Sequence, residues 1–194
     1  MEPVTNILFS GVGGQGIILA SRLVAKCAFN AGYMVKESEV HGMAQRGGSV
    51  VSHVRFGREV HSPLIPTGKA DFLLAMEELE GLRYTYFLKP GARVVLNMKK
   101  IPPTNLNPST PYPEDAPARL QAMGFEADTL DALEIAKSAG GPKVENVVLV
   151  GTLSHYLPFP VPVWEETIKE SVPAKFIEMN LLAFRRGREI SEKK

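Results

Sequence analysis

The stretch Asn6-Ile7-Leu8-Phe9-Ser10-Gly11-Val12-Gly13-Gly14-Gln15-Gly16-Ile17 decides the fold. Asn6–Ser10 is a short apolar run that ends in turn residues, the signature of a buried strand rather than a helix. Gly11–Gly16 is a glycine-rich turn. Ile17–Ala31 then carries helical periodicity. Its polar residues Arg22, Lys26 and Asn30 recur at every fourth position and form one narrow wet stripe, and Gly32 occupies the stop position after the last turn. The other faces are apolar, so this helix packs on a sheet and on a second layer as well. A buried strand, a glycine turn and an apolar helix together predict an α/β layered fold.

Gly11-Val12-Gly13-Gly14-Gln15-Gly16 matches G-x-G-x-x-G, and Glu37 lies 21 residues beyond Gly16. In a dinucleotide-binding fold the glycines allow a tight turn and a close pyrophosphate, the helix N-terminus offers free N–H groups, and the acid takes the ribose hydroxyls. A second reading is that the glycines only let helix and sheet approach. In a third, the loop's N–H groups face a ligand or a partner subunit without holding a dinucleotide. A complete dinucleotide fold needs a crossover helix after its second strand, yet no helix of ordinary length fits between Glu37 and Ser49. The first βαβ unit is thus Rossmann-like, but the dinucleotide fold is not completed.

Farther along, strands are predicted at Tyr33–Glu37, Ser49–Phe56 (Val50, Val54 and Phe56 on one face), Asp71–Met76, Ala92–Asn97 and Phe125–Leu130. Gly57-Arg58 is expected to turn the second of these into a further arm at Glu59–His61, and Pro90-Gly91 to turn into Ala92–Asn97. Helices are predicted at Glu77–Leu88, Ala118–Met123, Asp131–Ala139, Val144–Tyr156 (apolar nearly throughout), Trp164–Glu170 and Ala174–Arg186. A proline-rich excursion runs over about residues 99–117. With no internal repeat and no clean boundary, the expectation is one domain over 1–194, a three-layer α/β/α arrangement with a largely parallel or mixed sheet.

The chain has 22 Lys and Arg against 21 Asp and Glu, a net charge of +1, so no field directs it to nucleic acid or an anionic membrane. Its hydrophobic fraction of 44% supports a real core, yet no apolar run is long enough for a bilayer and no secretory leader is visible. The single cysteine, Cys27, suits a cytoplasmic protein and cannot by itself hold an iron–sulfur cluster or a thiolate zinc site. Cys27 sits mid-helix on an apolar face and reads as inert core. His53 and His61 lack partners at metal-ligand spacing, and Ser154-His155 lacks a nucleophile elbow.

A second motif, Glu39-Val40-His41-Gly42-Met43-Ala44-Gln45-Arg46-Gly47-Gly48-Ser49-Val50, follows the first. At this spacing the pair resembles the gamma-type subunits of 2-oxoacid:ferredoxin oxidoreductases, and within them the indolepyruvate branch. The resemblance implies oxidative decarboxylation of a 2-oxoacid with coenzyme A as cosubstrate, giving acyl-CoA, CO2 and reduced ferredoxin. It also implies that thiamine diphosphate and the iron–sulfur clusters sit on a larger partner subunit, that no cofactor is bound by this chain alone, and that ferredoxin is reached through the complex. The loop expected to face a ligand or that partner comprises Gly11, Gly13, Gly14, Gln15, Gly16, His41, Gly42, Met43, Gln45, Arg46, Gly47 and Gly48. Arg46 could clamp a substrate carboxylate, a coenzyme A phosphate or a partner carboxylate, or instead pair with Glu37 or Glu39 to order its own loop. Gln15 could sit exposed at the helix start or bond across an interface or pocket. No catalytic residue is assigned to this chain, and self-association into a homodimer in isolation is left open. The alternatives are a free-standing NAD- or FAD-binding domain and a non-catalytic assembly module.

Overall fold

The computed structural model describes residues 4–41, 47–103 and 111–192. Six strands form one sheet in the order β2-β3-β1-β4-β5-β6. These are β1 (Thr5–Val12), β2 (Met34–His41), β3 (Ser49–Gly57), β4 (Ala70–Ala75), β5 (Leu88–Asn97) and β6 (Glu126–Leu130). β1, β4, β5 and β6 run parallel, whereas β3 is antiparallel to both of its neighbours, β1 and β2. The sheet is mixed, as expected. β1 and β2 run in the same direction, as a βαβ unit requires, but β3 is inserted between them.

Apolar residues alternate to both faces along the central strands, because both faces are covered there. Ile7, Phe9, Val50, Val54, Phe56, Leu74 and Val95 enter one core, and Leu8, Val51, Leu73, Val94 and Leu96 the other. The first core is roofed by α1 (Ile17–Asn30), α4 (Ala132–Ser138), α5 (Glu145–Ser154), α6 (Val161–Ser171) and α7 (Ile177–Glu192). The second, thinner side carries α2 (Glu78–Arg83) and α3 (Ala116–Ala122).

The wet stripe of α1 is used internally. Arg22 pairs with Glu39 at 3.4 Å, Lys26 with Glu170 at 3.1 Å, and Asn30 donates to the Thr167 hydroxyl at 3.2 Å, so α1 is bridged both to β2 and to α6. α5 lies at the centre of the thick side, buried from Asn146 to Ser154. It crosses α7 with backbone against backbone. A Cβ on Gly151 would lie 2.1 Å from the Phe184 carbonyl oxygen, and one on Gly187 would lie 1.9 Å from that of Val148.

Three expectations change. Glu59–His61 forms no strand; Arg55 on β3 instead donates to the carbonyls of Ser62 and Leu64, which folds this segment over the sheet as a loop. Pro90-Gly91 lies inside β5, where the pairing with β4 shifts register, and is not a turn before it. The helix expected over Glu77–Leu88 is only Glu78–Arg83, followed by a 3-10 turn at Thr85–Phe87, because Leu88 already pairs with Ala70. The middle of the proline-rich excursion, 104–110, lies outside the described residues, and Pro117 belongs to α3.

Candidate functional site at the carboxyl edge of the sheet

β1 leads into α1 on the thick side and its parallel neighbour β4 leads into α2 on the thin side, so the chain leaves these two strands in opposite directions. Such a switch point opens a crevice at the carboxyl ends of the strands, where open α/β sheets take ligands.

Here the crevice is bridged by the chain itself. The Gln15 Oε1 accepts from the Val12 N–H at 2.7 Å, and its Nε2 donates to the Met76 carbonyl at 2.8 Å. Both ends of the amide are therefore used to join the ends of β1 and β4; it is neither an idle exposed group nor a free donor. The same Met76 carbonyl accepts from Asn97 Nδ2 at 3.2 Å, while Asn97 Oδ1 accepts from the Ala132 N–H at 3.1 Å, so the end of β5 and the start of α4 join the same net.

The glycines divide by what they approach. Gly16 has φ 79°, and a Cβ there would sit 2.6 Å from Asn146 Nδ2, which donates to the Gly16 carbonyl at 3.2 Å. Close approach to α5 therefore demands glycine at this position. Gly14 is exposed with open space around it. A cleft of about 330 Å³ opens beside it, rimmed by Lys99, Lys143, Glu145 and Asn146. Lys99 is held by the Glu145 carboxylate at 2.8 and 2.9 Å.

The two motifs meet directly: the Gly13 N–H donates to the Gly48 carbonyl at 2.8 Å. Gly11 pairs with Val50, and Val50 with His41, so the ends of β1 and β2 and the start of β3 lie level at one edge. Gly42, Met43, Gln45 and Arg46 lie outside the described residues, and His41 is described only as the last residue of β2. Glu37 is two strands from β1 and accepts from the Ser21 hydroxyl of α1 at 2.7 Å. A ribose-binding acid would stand on the strand next to β1.

Three buried glutamates at the start of α2 escaped the sequence reading. The Glu77 carboxylate, fully buried, accepts from the N–H groups of Glu80 at 2.8 Å and Ile101 at 3.0 Å and from the Tyr112 hydroxyl. Burial and the adjacent Glu77 carboxylate push the Tyr112 hydroxyl well above its ordinary value. Glu80 accepts from the Ser49 hydroxyl and from Arg83 Nε at 3.0 Å, and Ser49 also meets the Tyr84 hydroxyl at 2.9 Å. Glu78 is 2% exposed; its ionic partner is Lys100 at 3.9 Å, and burial raises its pKa. The available signal was Met76-Glu77-Glu78-Leu79-Glu80, three acids in four positions directly after a buried strand.

The donor set does not fit an iron–sulfur cluster. Cys27 is fully buried, and burial pushes its thiol up to about 12, whereas a cluster needs several accessible thiolates. Among the described residues no three His, Cys, Asp or Glu side chains converge for a metal. His53 accepts from the Ile65 N–H at 3.2 Å, its charged form disfavoured by burial and then by Arg55; Ser154 donates to the Gly151 carbonyl at 2.6 Å inside α5. No helix among the described residues is long and apolar enough to cross a membrane. The edge is a polar surface pinned by its own hydrogen bonds.

Known proteins agree with this architecture. The chain is 43% identical over 190 residues to the indolepyruvate oxidoreductase subunit IorB of Thermococcus kodakarensis, covering 94% of this chain and 93% of that protein. It is 29% identical to the 2-oxoglutarate synthase subunit KorC of Methanothermobacter thermautotrophicus, over 98% and 96% of the two chains. A keto/oxoacid ferredoxin oxidoreductase gamma subunit from Geobacter sulfurreducens superposes with a TM-score of 0.75 at 25% identity, over 98% and 99% of the chains. The fold recurs inside a larger chain, the 2-oxoglutarate:ferredoxin oxidoreductase of Magnetococcus marinus, with a TM-score of 0.74 and 22% identity; all of this chain matches 32% of that one. The model of the pyruvate ferredoxin/flavodoxin oxidoreductase family matches residues 6–190, and the chain belongs to that family.

Proposed function

We propose that this chain is the small subunit of a cytoplasmic, thiamine-dependent oxidoreductase that acts on indolepyruvate or another aryl-pyruvate. In this reading a larger subunit holds thiamine diphosphate and the iron–sulfur clusters. The 2-oxoacid loses CO2, its acyl group passes to coenzyme A, and two electrons leave through the clusters to ferredoxin. The small subunit presents the loops of 11–16 and 41–48 to that partner and its active site. The observation that carries this is the union of the two loops at the switch point, with Gly13 bonded to Gly48 and the crevice bridged by Gln15. A free-standing dinucleotide domain would need that crevice open and the ribose-binding acid on the strand next to β1, whereas Gln15 bridges the crevice and Glu37 stands two strands away. The aryl-pyruvate substrate is favoured by the likeness to the Thermococcus kodakarensis protein over the more distant 2-oxoglutarate synthase subunit.

Co-expression with a thiamine- and cluster-bearing large subunit tests the proposal. A complex that reduces ferredoxin with indolepyruvate and coenzyme A is expected, while the isolated chain shows no turnover and no micromolar NAD or FAD binding by calorimetry. Micromolar binding of either nucleotide by the lone chain would overturn it. Arg46→Ala is expected to lower turnover or assembly at least tenfold without unfolding the chain, on the scale of losing a charge-assisted bidentate contact of roughly 1.5–3 kcal/mol.

A further inference from the structure

Resting on that functional reading, we propose that Glu80 is a positioning residue for the reaction, acting through Ser49 to fix where the second glycine loop joins the sheet. Ser49 is the first residue of β3. On the β1 side the ladder reaches Ser49, which pairs with Val12. Ser49 is thus the point at which the second motif enters the sheet. Ser49 shares a face with Val51, which lies on the thin side, so its hydroxyl points toward α2. There it meets Glu80, whose side chain is 5% exposed, and Tyr84.

Burying a carboxylate is expensive unless it is fully bonded. Glu80 meets that demand with one group from the junction and one from its own helix. Its carboxylate takes the Ser49 hydroxyl and Arg83, and its backbone carbonyl accepts from the Ser10 hydroxyl of β1 at 3.2 Å. The Gly13–Gly48 bond lies one residue beyond Ser49. One residue of α2 thereby touches both strands that carry the glycine loops, β3 through its carboxylate and β1 through its backbone carbonyl. A neutral contact would hold α2 equally well against its core; a charge-assisted bond fixes direction, which matters where a loop must meet a reacting centre.

The test uses the co-expressed complex. Glu80→Gln and Ser49→Ala are each expected to assemble normally and to lose about tenfold in kcat/KM for the 2-oxoacid, since small misplacements of positioning groups carry losses of that order or more. Ser49→Thr, which keeps the hydroxyl, is expected to retain near-normal kcat/KM, and the Glu80→Gln/Ser49→Ala double variant is expected to fall no lower than the worse single one. Unchanged kcat/KM in both single variants, additive losses, or failure of threonine to rescue would each overturn the proposal. Amide hydrogen exchange over residues 48–51 supplies a readout independent of turnover: it should speed up in both single variants, and unchanged exchange also overturns the proposal. A wild-type complex that turns over no 2-oxoacid refutes the functional reading instead, and the exchange result still decides the role of Glu80.

Discussion

Glu78 shows how one side chain can make stability depend on pH in an unusual direction. Its carboxyl is buried, its pKa is raised by that burial, and Lys100 only partly offsets the shift from 3.9 Å, while Glu77 and Asp115 add to it. The folded chain therefore holds this proton more tightly than the unfolded chain does. The stability it contributes is fully present below the ordinary glutamate value of 4.5 and is lost as pH rises through the raised folded value. Glu78→Gln removes that titration. Its stability relative to wild type should rise between pH 4 and pH 8, measured by denaturant unfolding at several pH values; a pH-independent difference would contradict this account. Gln15, which bonds to the Met76 carbonyl two residues before Glu78, is the opposite kind of residue: neutral, doubly bonded, and bridging the crevice between β1 and β4.

Among the elements, the crossing of α5 and α7 has the least tolerance. Gly151 and Gly187 bring the two backbones together, and Thr152 donates to the Gly187 carbonyl at 2.9 Å across the contact. An alanine at Gly187 places a carbon 1.9 Å from a carbonyl oxygen, so the helices must separate. That separation also opens the packing around Phe184 and Leu149, both fully buried. Overpacking of a filled core costs about 1–3 kcal/mol, and here backbone rather than a flexible side chain must yield, so Gly187→Ala should destabilise by about 3 kcal/mol or more. Thermal unfolding beside a solvent-facing control, Gly91→Ala, checks it, since Gly91 has open space around it and only its φ of 71° to resist substitution.

Across the whole molecule, Cys27 reports integrity. Its thiol is fully buried and held up to about 12, so thiolate is scarce at neutral pH. Labelling with a thiol reagent should follow global unfolding, and fast labelling under native conditions would show that α1 opens locally. The layered fold was legible because its signals are local: the apolar run Asn6–Ser10, the glycine turn and the striped helix after it each carry their own periodicity. The insertion of β3 between β1 and β2 was not legible, since strand order depends on which edges pair in space. The register shift at Pro90-Gly91 was hidden for a related reason, because a turn-forming pair inside a strand reads as an interruption. At the edge, spacing alone could not show that the two motifs meet through Gly13 and Gly48, that Gln15 bonds inward or that Glu77 and Glu80 reach other loops. Those contacts join residues far apart in the chain, such as Ser49 with Glu80 and Asn146 with Gly16.

The contact between α5 and α7 also orders events during synthesis. α5 is buried on every side from Asn146 to Ser154, yet one wall of its surroundings is α7, which begins 23 residues after α5 ends. A growing chain that has released α5 but not α7 presents an almost wholly apolar helix with an open groove along its glycine. Such an intermediate is prone to aggregate, and a chain truncated before Ile177 should aggregate where the full chain does not.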